Sequence, residues 1–224
     1  MRGFKISCDP KFAEMLEDIA GLYMTPREHA LVLCCDEKIR VQALHRTPPG
    51  LLLKKDRAQT MTHHYKRHGT TTLFAAMNVL DGTVIGQCQS RHTHAEWLKF
   101  RRRIDRETPK DEALHLIADN YATHKYPKVQ QWLAKHPRFH MHFTPTSASW
   151  LNRVERFFRD ITTARLRRGA FTSVAELEAA IHEYVAHHNA KSKPLIWTKS
   201  ARDILQKVIR ANSRLSSKQN EILH

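Results

Sequence analysis

Three acidic residues occupy places where a charge is costly. Asp36 interrupts a strand-like run, with LVLCC before it and IRVQAL shortly after. Asp119 closes the apolar run LHLIA. Glu155 falls within SASWLNRVERFF (147–158), where Trp150, Leu151, Val154, Phe157 and Phe158 recur at helical spacing. With about 3.6 residues per turn, its side chain sits on the flank of that apolar stripe. A carboxylate beside a core needs a partner, because unpaired buried charge is expensive. Taken singly, each has a plain explanation: Asp119 could cap a helix opening at Tyr121, and Glu155 could pair with Arg159 at i+4. Taken together they suggest another chemistry. Two parallel neighbouring strands can set Asp36 and Asp119 side by side, and a helix packed across them can bring Glu155 over the pair. Three clustered carboxylates repel one another unless cations lie between them. Oxygen-only donors suit Mg²⁺ or Mn²⁺, and two such ions about 3.5–4 Å apart can clamp an in-line phosphoryl displacement. Glu37 alternates to the opposite strand face from Asp36 and reads as a supporting residue.

The elements that must position these residues are legible as a pattern. Residues 1–25 read as a helical lead-in, with Phe12, Met15, Leu16 and Ile19 at helical spacing. ALVLCCDEKIRVQAL (30–44) reads as a strand whose first half, continuously apolar, is covered on both faces. A loop broken by Pro48, Pro49 and Gly50 follows. Residues 69–90 are β-rich on both sides of Asp81-Gly82, a hairpin signal. Residues 93–109 read as a helix, with Thr93 as N-cap and Glu96 at N3. A strand (112–120), a helix (121–137), a short strand (138–145) and a helix from about Ser149 to Arg168 come next. A further helix starts at Ser173, with Glu176 at N3, and another lies within 193–210. A hairpin followed by alternating helices and strands predicts an α/β chain: a mixed central sheet flanked by helices, with extra C-terminal helices. The expected organisation is a lead-in (1–28), a catalytic domain (29–210) and a polar tail (211–224).

Composition bounds the partners. The 224 residues include 37 Lys+Arg against 22 Asp+Glu, a net charge of +15, which points to a polyanion such as nucleic acid. An acidic metal centre on a basic protein suits phosphodiester chemistry, with the surface holding the backbone and the ions carrying the reaction. The N-terminus lacks the apolar region of a signal peptide, and no run reaches the roughly 18 apolar residues of a membrane span. Cys8, Cys34, Cys35 and Cys88 form no CxxC pair and read as reduced thiols of a cytosolic protein. The His63-His64 and His92-x-His94 pairs lack finger-spaced cysteines, so a zinc site is not expected.

CDEK (35–38), IADNYATHK (117–125) and FTPTSASWLNRVERFF (143–158) together resemble the catalytic core of DDE-superfamily transposases, in the bacterial insertion-sequence branch related to the mariner elements. The 35 residues between Asp119 and Glu155 are close to that family's usual interval. The likeness extends to FKISCDPKF, HYKRHGTTTLFAA (64–76) and KPLIWTKSARDIL (193–205), and so covers nearly the whole chain. It implies a ribonuclease H-like fold and metal ligation by Asp36, Asp119 and Glu155. Asn120, His124 and Asn152 would be accessory, with Glu37 beside them; for Asn120 a helix cap is the alternative. Trp150 is expected in the core. Arg153, Arg156, Arg159, Arg165, Arg167 and Arg168 make the region basic, and some of them, with Lys125, are expected on DNA phosphates. The resemblance further implies two Mg²⁺ or Mn²⁺ ions, double-stranded DNA as partner, a homodimer on paired ends, and action at the bacterial nucleoid in the cytoplasm. Relatives carry an N-terminal helix-turn-helix that recognises the element's ends; none is read here, so sequence-specific end recognition is not expected of this polypeptide alone. The rival readings are another ribonuclease H-like nuclease and a non-catalytic, transposase-derived DNA-binding protein.

Overall fold

The computed structural model describes residues 7, 9–25, 29–46, 65–194 and 196–210. The Pro48–Gly50 loop, Cys8, the His63-His64 pair and the 211–224 tail lie outside the described residues. Five strands form one sheet in the order β3-β2-β1-β4-β5. They are β1 (Ala30–Arg46), β2 (Tyr65–Asn78), β3 (Val84–Gln89), β4 (Ala113–Ala118) and β5 (Phe139–Phe143). β2 is antiparallel to both β1 and β3, whereas β4 and β5 run parallel to β1, as the mixed pattern predicts.

The apolar half of β1 is buried on both faces, and this explains its unbroken hydrophobicity. Val32 and Cys34 join one core, with α1 (Phe12–Met24), α4 (Val154–Ile161) and α5 (Val174–Ala190). Leu33 and Cys35 join the other, with α2 (His94–Glu107) and α3 (Pro127–Ala134). The lead-in helix is part of the first core: Leu16 and Ile19 are fully buried against it. A sixth helix, α6, spans 201–210, and Ser200 and Asp203 exchange side-chain-to-backbone hydrogen bonds at its start. Cys34 and Cys35 are free and buried, and Cys88 is free and partly buried. No helix among the described residues is long and apolar enough to cross a membrane.

The hairpin expected at Asp81-Gly82 joins β2 to β3, with Gly82 at φ 74°, a conformation that glycine adopts without a side-chain clash. Thr93 and Glu96 form the expected capping box of α2, and the Ser173 side chain accepts from Glu176 N–H at the start of α5. Two expected helices are broken. The one over 121–137 is a 3₁₀ turn (Ala122–Lys125) followed by α3, because Pro127 disfavours the helical conformation at Tyr126, which sits at ψ 141°. The one from Ser149 begins as a 3₁₀ turn (Ser149–Leu151), and α4 opens only at Val154. Asn152 interrupts it at ψ 107° while its side chain bonds another strand. Beyond Ile161 the helix widens into a π turn (Thr162–Leu166), where the Thr162 and Thr163 hydroxyls bond back to the carbonyls of Phe158 and Arg159.

Candidate active site

The site is built on the parallel pair β1 and β4. Their register pairs Cys34 with Ile117, and two residues further along both chains stand Asp36 and Asp119. α4 lies across this end of the sheet. At eight residues it would be marginal alone, but Val154, Phe157, Phe158 and Ile161 are buried beneath it. Burial of such side chains contributes roughly 1.5–3 kcal/mol each, so packing fixes this helix and with it Glu155 in its first turn.

Asp36 is 8% exposed. Its Oδ1 accepts the Glu37 N–H at 2.7 Å. Burial, followed by the charge of Asp119 and then of Glu155 and Glu37, pushes its carboxyl up to about 8. Burial also raises Glu155; Lys38 opposes that and Asp119 adds to it. The three carboxyl groups therefore form one electrostatic unit, in which each disfavours the charge of the others.

Asp119 is half-exposed and also fills its plain role as a turn cap, Oδ1 accepting the Tyr121 N–H at 3.3 Å. The fully buried His124 backs it, with Nδ1 3.0 Å from the Asp119 carbonyl and 3.2 Å from Oδ1. On its other side Nε2 lies 3.5 Å from Glu37 Oε2, a coulombic contact longer than a good hydrogen bond. Burial disfavours the charged imidazole, yet Asp119 and Glu37 outweigh it and push His124 up to about 9. The Trp97 ring covers the imidazole at 4.3 Å. Glu37 thus serves Asp119 through His124 from the opposite face of β1. Asn152, 1% exposed, donates from Nδ2 to the Cys35 carbonyl at 2.8 Å, which ties the approach to α4 to the strand just before Asp36. Asn120 is exposed beside the site.

The i+4 pair of Glu155 with Arg159 does not form; Arg159 Nε lies 3.5 Å from Asp160 instead, with Arg156 also near that acid. Arg165 pairs with Glu183 at 3.0 Å. Arg167 and Arg168 are exposed, as is Lys125, whose Nζ stands over the Phe143 ring. Arg153 is half-buried, its guanidinium 5.7 Å from the Trp197 ring centre. Trp150 packs partly buried against the first core. Arg153 and Arg156 also line a pocket of about 280 Å³ with His188, Lys191 and Lys193. The two lysines were missed in the sequence, where nothing links 191–193 to α4. Lys38 was within reach, since it shares a strand face with Asp36 two residues earlier.

Among the described residues, no three His, Cys, Asp or Glu groups stand close enough to enclose a metal ion as their side chains lie. The donor set still fits one. Its donors are all carboxylate oxygens, and burial and mutual repulsion raise Asp36 and Glu155, a repulsion that a divalent cation would neutralise.

A mixed five-stranded sheet in this order, flanked by helices, is the ribonuclease H-like fold. Residues 31–178 match the family model of the DDE superfamily endonucleases, and the chain belongs to that family. No curated protein matches it. Among solved structures, the Mos1 mariner paired-end complex with Mn superposes with a TM-score of 0.61 at 13% identity, over 96% of this chain and 63% of that one. The Mos1 paired-end complex with the left transposon end gives 0.59 at 14% identity, over 83% and 58%. The catalytic domain of Mos1 mariner transposase gives 0.56 at 12% identity, over 91% and 88%. The chain therefore spans about three-fifths of the length of the transposases in those two complexes.

Proposed function

We propose that this chain is a DNA transposase catalytic domain, a metal-dependent endonuclease and strand-transferase acting on double-stranded DNA in the bacterial cytoplasm. The observation that carries the reading is the convergence of Asp36, Asp119 and Glu155 from β1, β4 and α4 on one site where they feel one another's charge. Asp36, Asp119 and Glu155 would hold Mg²⁺ or Mn²⁺, as two ions. Bound there, the ions would activate the attacking oxygen and stabilise the leaving one in an in-line displacement, first with water at an element end and then with the freed 3′-hydroxyl on target DNA.

The protein's own residues set the stage. Asp36, whose charge burial and its neighbours disfavour, would be held in its charged form by a bound cation. His124 holds Asp119 from behind, and Glu37 keeps His124 charged and in place. Asn152 fixes the path into α4. The exposed Arg156, Arg159, Arg167, Arg168 and Lys125 supply phosphate contacts around the carboxylates. Action on paired ends as a homodimer belongs to the same proposal. It is supported by relatives solved as paired-end complexes.

Nicking of DNA by the purified chain tests the reading. It is expected to need Mg²⁺ or Mn²⁺ and to vanish in Asp119→Ala and Glu155→Gln. Nicking that persists in both variants removes the basis for the assignment.

A further inference from the structure

The helix that carries Glu155 lacks a cap of its own. Its N-cap residue is Arg153, and no side chain there bonds the first turn. Helix starts leave backbone N–H groups that need acceptors. Here the Glu155 and Arg156 N–H groups reach the carbonyls of Asn152 and Arg153, three residues back, and the turn before the helix is tied down by a residue far away in the chain. Tyr23 donates its own proton to the Leu151 carbonyl at 2.6 Å. Its contact with Cys34 Sγ at 3.1 Å is therefore one in which the thiol donates. The hydroxyl belongs to a tyrosine that is 5% exposed and whose ring stacks on Trp197 at 4.8 Å and 23°. The Arg153 guanidinium covers the Trp197 ring.

Cys34 shares a strand face with Asp36, two residues on, and Arg153 precedes Glu155 by two. One hydroxyl thus links the strand bearing Asp36 to the turn that leads into the helix bearing Glu155. Tyr23 and Trp197 both lie outside the 31–178 segment that matches the family model. We propose that Tyr23, held by Trp197, is a positioning residue that ties the turn before α4 to β1 and so sets the separation of Asp36 and Glu155. The inference rests on the proposed role of those carboxylates as cation ligands.

Tyr23→Phe keeps the ring stacked on Trp197 and removes only the hydroxyl. Loss of one hydrogen bond changes an equilibrium by about fivefold. Amide exchange at Leu151 and Asn152, whose N–H groups are bonded within the turn that Tyr23 holds, is expected to quicken about fivefold, while that of β4 stays as it was. The Mn²⁺ concentration that half-saturates the ion-dependent rise in Tm is expected to increase about three- to tenfold. DNA affinity in EDTA is expected to stay unchanged. A merely structural tyrosine would lower Tm without ion and leave Mn²⁺ half-saturation where it was, and that result overturns the inference alone. A wild-type chain whose Tm does not respond to Mn²⁺, or responds equally in Asp36→Asn, overturns the proposed function and this inference together. Should Tyr23→Phe fold poorly, Trp197→Leu provides the same measurements, with a shift in the same direction expected and an unchanged half-saturation again refuting.

Discussion

Replacing Asp36 by Asn should stabilise the protein when no divalent ion is present. The substitution keeps an acceptor for the Glu37 N–H, bonded at 2.7 Å, and removes a charge from a side chain only 8% exposed. Burial and the neighbouring acids raise this carboxyl from 3.8 to about 8. The folded state then holds the proton more tightly than the unfolded chain does. Between about pH 4 and pH 8 the folded state binds more protons, so its stability falls as pH rises through that window. Each tenfold in proton affinity is about 1.4 kcal/mol, so roughly three decades up to pH 7 set a ceiling of about 4 kcal/mol. Asp119 is half-exposed and Glu155 exposed, so water relaxes part of the repulsion, and a gain of about 2 kcal/mol at pH 7 is expected. Urea denaturation in EDTA across pH 4.5 to 8 measures it. The wild-type chain should lose stability between about pH 4 and 6.5 where Asp36→Asn stays level. Added Mn²⁺ should restore the wild type, by about 2.7 kcal/mol at a hundredfold excess over its Kd, and leave the variant unchanged. Parallel pH profiles for the two proteins would refute the electrostatic account of the site.

Two further outcomes follow from the same geometry. The imidazole of His124 is raised from 6.5 to about 9, so its contribution is complete below about pH 6.5 and is lost as pH climbs through about 9. His124→Gln should cost about 2–3 kcal/mol at pH 6, measured by denaturation, and the loss should shrink above pH 9. On the basic side, Lys191→Ala with Lys193→Ala should weaken DNA binding for all sequences alike. The slope of log K against log salt should fall by about 1–2, roughly one for each phosphate that a lysine no longer neutralises. An unchanged slope in a filter-binding salt series would place the DNA elsewhere.

Much of this molecule is written in the order of its residues. The double burial of β1, the hairpin at Asp81-Gly82 and the caps at Thr93 and Ser173 each follow from short-range pattern, because pleat, turn and cap chemistry act over a few residues. The same locality put Asp36 and Glu37 on opposite faces, and it marked three acids as misplaced unless they met. What pattern could not decide is how far each helix runs. The 121–137 and 149–168 segments read as continuous helices. They are interrupted because Pro127 acts on its neighbour's backbone and because Asn152 spends its side chain on the Cys35 carbonyl, 117 residues away in the chain.

The sequence alone determined that three carboxylates sit beside core elements in a basic chain, since burial patterning is a property of residue order. Only the tertiary structure decided that they feel one another's charge and that His124 joins Glu37 to Asp119 under the Trp97 ring. It alone shows that a hydroxyl from α1 bonds the Leu151 carbonyl in the turn that leads into the Glu155 helix. Such links depend on distances between groups far apart in the chain, and those are set by the packing of helices on a sheet.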